Sequence, residues 1–358
     1  MPRAVLTTPV PSSSSSSVRP PGRSVDVAVL GAGVAGLVTA VTALRAGLSV
    51  AVYERGPRDF SASAGYKAGG MLAPFCEADG AEADVVDLGL RSMALWPTLH
   101  DGVVIRGSLV VAPPRDAAGL ARFGRLTEGH EPADAARIGD LEPDLAGRFR
   151  SGLFFPGEGH LDPRQTLGAL RDQLEAAGVA VRFDWRGDPD AIAAGRIVDA
   201  RGLGARDRFA DLRGVKGEMV VIRSRDVAIS RPVRLLHHRH PLYLVPRGEG
   251  VYMIGATTVE SDVGEAVTVR SAGELLTQAY ALHPAFGEAE IIEFNAGLRP
   301  AFPGNEPRIV EDGRVIAVNG LYRHGWLIAP ALAEDIVARI VGAAPASKKH
   351  EVFHADPA

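Results

Sequence analysis

Hydrophobic positions first gather in a β-branched run, Val25 to Leu30, followed by the glycine turn Gly31-Ala32-Gly33-Val34-Ala35-Gly36. A helix is expected from about Ala35 to Ala46, stopping at Gly47, and a second strand from Leu48 to Tyr53, ending at Glu54. Ala83 to Leu99 has helical spacing, with Val86, Leu90, Met93 and Trp96 as its apolar stripe. Val103 to Ala112 reads as a long strand or strand pair, and a charged, helix-rich segment runs on to Leu145. Asp162-Pro163 opens another helix to about Ala177, ended by Gly178, and the short strands Val179 to Phe183 and Arg196 to Ala200 follow. The second of these runs into Gly202-Leu203-Gly204.

From Lys216 onward the pattern is strand after strand without helices, beginning with Met219 to Arg223. Leu242 to Pro246 and Val251 to Ala256 flank Arg247-Gly248-Glu249-Gly250 as a hairpin, with Tyr243 and Val245 on one face and Leu242 and Leu244 on the other. In Ile291 to Arg299 the apolar Ile292, Phe294, Ala296 and Leu298 alternate with Glu293, Asn295, Gly297 and Arg299, and Pro300 ends the run. Arg314 to Asn319 is a last strand, a glycine loop carries Arg323 and His324, and a helix is expected from Ala329 to Val341.

These elements predict an α/β fold in which a Rossmann-like dinucleotide-binding domain, a mixed sheet with helices, is interleaved with an antiparallel-sheet substrate domain. Segments 25–85, 146–215 and 291–345 belong to the first, 86–145 and 216–290 to the second. Residues 1–24, with a serine run and no acid, are expected to be a disordered tail, and 346–358 a second tail.

The glycine turn narrows the chemistry. Gly31 permits the tight turn, Gly33 lets a pyrophosphate approach the backbone, and Gly36 lets helix and strand pack closely. Glu54 stands at the carboxyl end of the second strand, where an acid bonds ribose hydroxyls and disfavours a 2′-phosphate. NAD or FAD is therefore expected over NADP.

Composition removes other classes. Hydrophobic residues make up 46% and charged residues 23% of the 358, as in an ordinary globular protein. A net charge of −4 supplies no basic field for nucleic acid and no attraction to an anionic membrane. No apolar run is long enough to span a bilayer. With Cys76 as the sole cysteine there is no internal disulfide, and a reducing cytoplasm fits. His237, His238 and His240 do not promise a metal site: adjacent histidines on an extended segment point to opposite faces, and no further ligand group is spaced to complete a shell.

Arg299, at a strand end on the polar face, is placed to grip a carboxylate with its guanidinium fork. Taken together, GAGVAGL with Glu54, GGMLAPFCE, YLVPRGEGVYMIGAT, GLRP and NGLYRHGWLIAPALAE resemble the D-amino-acid oxidase-like FAD-dependent oxidoreductases, and among them the glycine oxidases of thiamine biosynthesis. The resemblance covers nearly the whole chain after Ser24. It implies FAD as cofactor, contacted by Gly31, Gly33, Val34, Ala35, Gly36, Glu54, Arg55, Lys67, Gly69, Gly70, Met71, Gly202, His324, Gly325, Trp326 and Leu327. It also implies that Arg299 binds a substrate carboxylate, that Tyr243 helps hold it, and that Arg323 lies beside substrate and flavin.

The implied reaction takes a hydride from the Cα of a small amino acid or secondary amine, such as glycine or sarcosine, to the flavin. Water then hydrolyses the imine, and oxygen reoxidises the flavin to give hydrogen peroxide. A D-amino-acid dehydrogenase with another electron acceptor is the alternative, and a flavin-binding assembly partner without turnover is a third reading. A homo-oligomer is compatible with the sequence. Lys67 departs from the small residues found near the flavin in relatives, and is either a cation that tunes flavin or oxygen chemistry or a partner for a neighbouring loop. Cys76 does not match the attachment positions for covalent flavin and is expected to be a packed thiol.

Overall fold

A computed structural model of the chain describes residues 24–238, 241–264 and 266–346. The expected amino-terminal tail up to residue 23, the carboxy-terminal tail from residue 347 and His240 lie outside them.

Two large sheets carry the α/β fold. The first runs in the order Arg308–Asp312, Val315–Asn319, Ala194–Asp199, Val25–Leu30, Val50–Tyr53, Ala180–Arg182. Its strands are parallel except Arg308–Asp312, which pairs antiparallel with its neighbour. The fully buried Val27, Ala28 and Val29 show why the first run reads as continuous apolar sequence: both faces of the strand are covered. Helix Val34–Arg45 covers one face together with Pro163–Ala176, whose amino terminus is capped by the Asp162 carboxylate accepting from the N–H of Arg164 and Gln165.

The second sheet runs Glu290–Ala301, Arg213–Arg223, Val251–Gly255, Leu242–Pro246, Val233–Leu235, Ser108–Val111, Ser151–Phe155, Glu131–Asp134. It is antiparallel apart from one parallel pair, Val233–Leu235 with Ser108–Val111. Ser151–Phe155 and Glu290–Ala301 stand in this sheet, although 146–215 and 291–345 are assigned above to the dinucleotide-binding domain. Alternation reports that a segment is a strand, not which sheet receives it.

Three helices differ from expectation, the first being Val269–Leu282, which forms within the region read as strands alone. Ala83–Leu99 forms, but it buries Val85, Leu88, Gly89, Ser92, Trp96 and Leu99 and leaves Leu90 40% exposed. The helix rests on Gly325–Ile340 through its small residues. A Cβ on Gly89 would stand 3.0 Å from Leu327, and Ser92 Oγ accepts from the N–H of Ala331. Trp96 of the expected stripe is buried, and the rest of the packed face is rotated to Val85, Leu88 and Leu99. The last helix starts at Gly325, one turn before the expected Ala329, with Pro330 inside it. In the edge strand Glu290–Ala301 the apolar Ile292 and Phe294 are exposed, and the buried end begins at Ala296.

Candidate functional site

A cavity of about 650 Å³ is lined by residues of both sheets and by the amino termini of helices Val34–Arg45 and Gly325–Ile340. One end is the glycine turn. Gly31 adopts φ +96°, and a Cβ there would meet the Ala200 carbonyl oxygen at 2.5 Å, so only glycine lets the strands Val25–Leu30 and Ala194–Asp199 run into the turn side by side. Gly33, Val34 and Ala35 face the cavity, where the first N–H groups of a helix have no acceptor within the helix. Their positive end is suited to a pyrophosphate. Glu54 also lines this end, its carboxylate accepting from the N–H of Ala32 and Gly56. The open backbone at Gly33, with nothing nearer than Ser63 Oγ at 3.6 Å from where a Cβ would stand, fits a dinucleotide cofactor.

The cavity continues past Lys67, Gly69, Gly70, Met71, Gly202 and His324 to Leu327. Gly202 is fixed from two sides. Asp199 holds Arg201 through Nε at 2.9 Å and NH2 at 2.7 Å, and Asn319 Nδ2 donates to the Gly202 carbonyl at 2.8 Å. Trp326 Nε1 donates to the Gly65 carbonyl at 3.0 Å, tying the loop before Met71 to the start of the last helix.

Arg299 and Tyr243 face this part of the cavity from strands Glu290–Ala301 and Leu242–Pro246 of the second sheet, with Arg213–Arg223 and Val251–Gly255 between them. Arg299 NH1 donates to the Thr257 carbonyl at 3.1 Å, and among the described residues no carboxylate lies within ion-pair distance of it. Its guanidinium lies across strand Arg213–Arg223, where a Cβ on Gly217 would stand 2.2 Å from NH2. Burial lowers the Arg299 pKa, as expected of a cation with no anion beside it. The turn carrying Arg323 is locked to the same strand end. Tyr322, at φ +48°, donates its N–H to the Pro300 carbonyl at 2.9 Å.

Sequence reasoning missed the anion at the centre of this wall. Glu77 Oε1 lies 2.7 Å from Arg234 NH2, and its Oε2 is 3.5 Å from both Arg323 NH2 and His324 Nδ1. Burial by itself would raise the Glu77 carboxyl, but Arg323, Arg234 and His324 outweigh it and hold the group at about 2. The same carboxylate raises Arg234 against its burial. His324 goes the other way, lowered by burial more than Glu77 raises it. Glu77 and Arg234 both line the cavity, and nothing in the local sequence pairs them.

Most of the expected residues meet at this cavity; three do not. Gly31 and Gly36 stand behind its wall, where a Cβ on Gly36 would collide with the Gly31 carbonyl. Arg55 is exposed and outside the cavity, because the turn after Tyr53 sends Glu54 inward and the next side chain out. Lys67 lines the cavity beside Gly297 and also acts electrostatically on Glu293, which Arg164 holds. Cys76 is buried, its thiol pushed up by burial and by Glu158. The histidine pair departs from expectation. His237 and His238 follow strand Val233–Leu235 with a bend at His238, and their rings lie side by side, 4.5 Å apart and 35° from parallel.

Comparison with known proteins agrees with this geometry. The family profile described as DAO, FAD dependent oxidoreductase, matches residues 26–339. A Rhizobium etli protein named provisionally as the thiamine biosynthesis oxidoreductase ThiO is 49% identical over 316 residues, covering 88% of this chain and 96% of its own. Glycine oxidase from Geobacillus kaustophilus is 29% identical over 361 residues, covering 88% and 93%. The crystal structure of that glycine oxidase superposes with a TM-score of 0.78 at 25% identity, over 90% of this chain and 96% of the other. With a profile spanning nearly all described residues and a dinucleotide cradle in place, this chain belongs to the DAO family of FAD-dependent oxidoreductases.

Proposed function

We propose that the protein oxidises a small amino acid or secondary amine of the glycine or sarcosine kind, with oxygen as electron acceptor, and that its product serves the thiazole branch of thiamine biosynthesis. One observation carries the substrate class: Arg299, a cavity-facing cation with no carboxylate of the described residues within ion-pair distance. A substrate carboxylate is the anion that completes it. The names of the Rhizobium etli and Geobacillus relatives support the amine and the pathway.

In this reading Gly33, Val34, Ala35 and Glu54 hold the adenine dinucleotide portion of FAD, and the backbone of Gly69 to Met71, Gly202 and Gly325 to Leu327 holds its ring. When bound, FAD would supply a two-electron acceptor for the hydride on the substrate Cα, with oxygen as the final acceptor and hydrogen peroxide as its product. Arg299 grips the carboxylate in two parallel hydrogen bonds, and the Tyr243 hydroxyl adds a third. Glu77 lies between Arg234 and Arg323 and offsets one of their two charges, so the wall keeps a positive field that favours an anionic substrate. Fixing the substrate in this way is the protein's main contribution to rate. Water would hydrolyse the resulting imine to the 2-oxo acid, glyoxylate from either glycine or sarcosine, releasing ammonia from glycine and methylamine from sarcosine.

The test is the visible spectrum of the holoenzyme under anaerobic conditions as glycine, sarcosine and D-alanine are added in turn, followed by an oxygen electrode. Bleaching of the flavin bands by glycine or sarcosine, and oxygen uptake on readmitting air, is the expected result. A flavin that none of the three reduces overturns the substrate class, and reduction without oxygen uptake overturns the acceptor.

A further inference from the structure

The bend after strand Val233–Leu235 brings His237 and His238 against Asp116, the last residue of the turn Pro114–Asp116. One ligand atom from each of the three side chains lies within 4.8 Å of the other two. Asp116 points to a cation. Its side chain is 9% exposed, Oδ1 lies 3.0 Å from His238 Nδ1, and Oδ2 is buried without a hydrogen-bond partner. A buried carboxylate oxygen in that state is costly unless positive charge satisfies it. Among the described residues the guanidinium beside it is Arg115, with Nε 3.6 Å from Oδ2 and NH2 2.6 Å from His237 Nε2. That side chain is 64% exposed and free to swing away. Its guanidinium bridges the carboxylate and one imidazole as a small divalent ion would, and in donating to Nε2 it meets the lone pair through which imidazole binds metal.

The geometry points to a zinc site formed by Asp116, His237 and His238, with Arg115 in the ion's place in its absence. Two imidazole nitrogens and one carboxylate oxygen, with water in the fourth position, form a tetrahedral set for Zn²⁺. Calcium and magnesium ask for shells of oxygen. The site stands at the rim of the main cavity, since Leu236, immediately before the pair, lines that cavity. A bound ion ties the rim to the turn Pro114–Asp116. The inference is independent of the substrate proposed above, because it rests on side chains outside the cavity.

Zinc is titrated calorimetrically into the tag-free, chelator-dialysed holoenzyme, and bound metal is counted by mass spectrometry. One Zn²⁺ per chain is expected. Asp116→Asn and the double variant His237→Ala/His238→Ala should each weaken binding at least tenfold, whereas Arg115→Ala, which removes the competing cation, should tighten it severalfold. The histidine double variant removes exposed rings and keeps the test decisive if the Asp116 variant fails to fold. Absence of one-to-one binding, unchanged affinity in the histidine variant, or weaker binding in Arg115→Ala overturns the site.

Discussion

Trp96 donates its indole N–H to the carbonyl oxygen of Trp326 at 2.8 Å, and Pro330 leaves that oxygen available. Within a helix the Trp326 carbonyl would accept from residue 330, whose proline nitrogen carries no hydrogen. The indole of helix Ala83–Leu99 takes the vacancy. Trp326 in turn donates to Gly65, so one chain of hydrogen bonds joins two helices to the loop along the cofactor cavity.

Trp96→Phe should therefore act twice. Leaving a buried carbonyl without a donor costs about 1–3 kcal/mol, and the loosened Trp326 should release Gly65. A lower thermal midpoint is expected together with weaker retention of flavin on gel filtration; a fall in midpoint with unchanged flavin binding would confine the contact to packing.

Arg299→Ala should raise the substrate KM at least tenfold while flavin stays bound. A charge-assisted contact of this kind contributes roughly 1.5–3 kcal/mol. Steady-state kinetics with the substrate that bleaches the flavin decide the matter, and unchanged KM would remove Arg299 from the substrate.

Gly217→Ala tests the same guanidinium without touching it. The new methyl would overlap Arg299 NH2, the far end of a flexible side chain, so the strand should accept it and the arginine should move. A raised KM, with a thermal midpoint close to that of the native protein, is the expected signature.

Glu77→Gln should destabilise the fold, because Arg234 is left largely buried without its anion. The pH dependence supplies a second reading. A carboxyl held at about 2 in the folded chain, against 4.5 ordinarily, contributes stability that is full above pH 4.5 and lost as pH falls towards 2. Denaturant titrations across that window should show the native protein losing stability more steeply than the glutamine variant. Parallel curves would mean that Glu77 is not held down.

What was legible in the sequence was local. Gly31, Gly33, Gly36 and Glu54 lie within one strand-turn-helix-strand unit, whose pattern implies a nucleotide before any fold is known. Arg299 was legible as a charge ending an alternating strand. Glu77 was not, because the cations that set its state, Arg234, Arg323 and His324, come from a distant strand and a distant turn. Helix Ala83–Leu99 was found with Trp96 correctly inward, but its packed face is rotated away from Leu90 toward Val85, Leu88 and the small Gly89 and Ser92, which a hydrophobic count does not weigh. Sheet membership of Ser151–Phe155 was unreadable for a related reason: strand pairing is decided by partners far along the chain.

Helix Gly325–Ile340 both lines the cavity and packs on helices near the beginning of the chain, Val34–Arg45 and Ala83–Leu99. During synthesis the glycine turn therefore leaves the ribosome long before the wall that faces it exists. A nascent chain halted short of residue 325 carries the complete nucleotide motif but lacks the helix that lines the other side of the cavity.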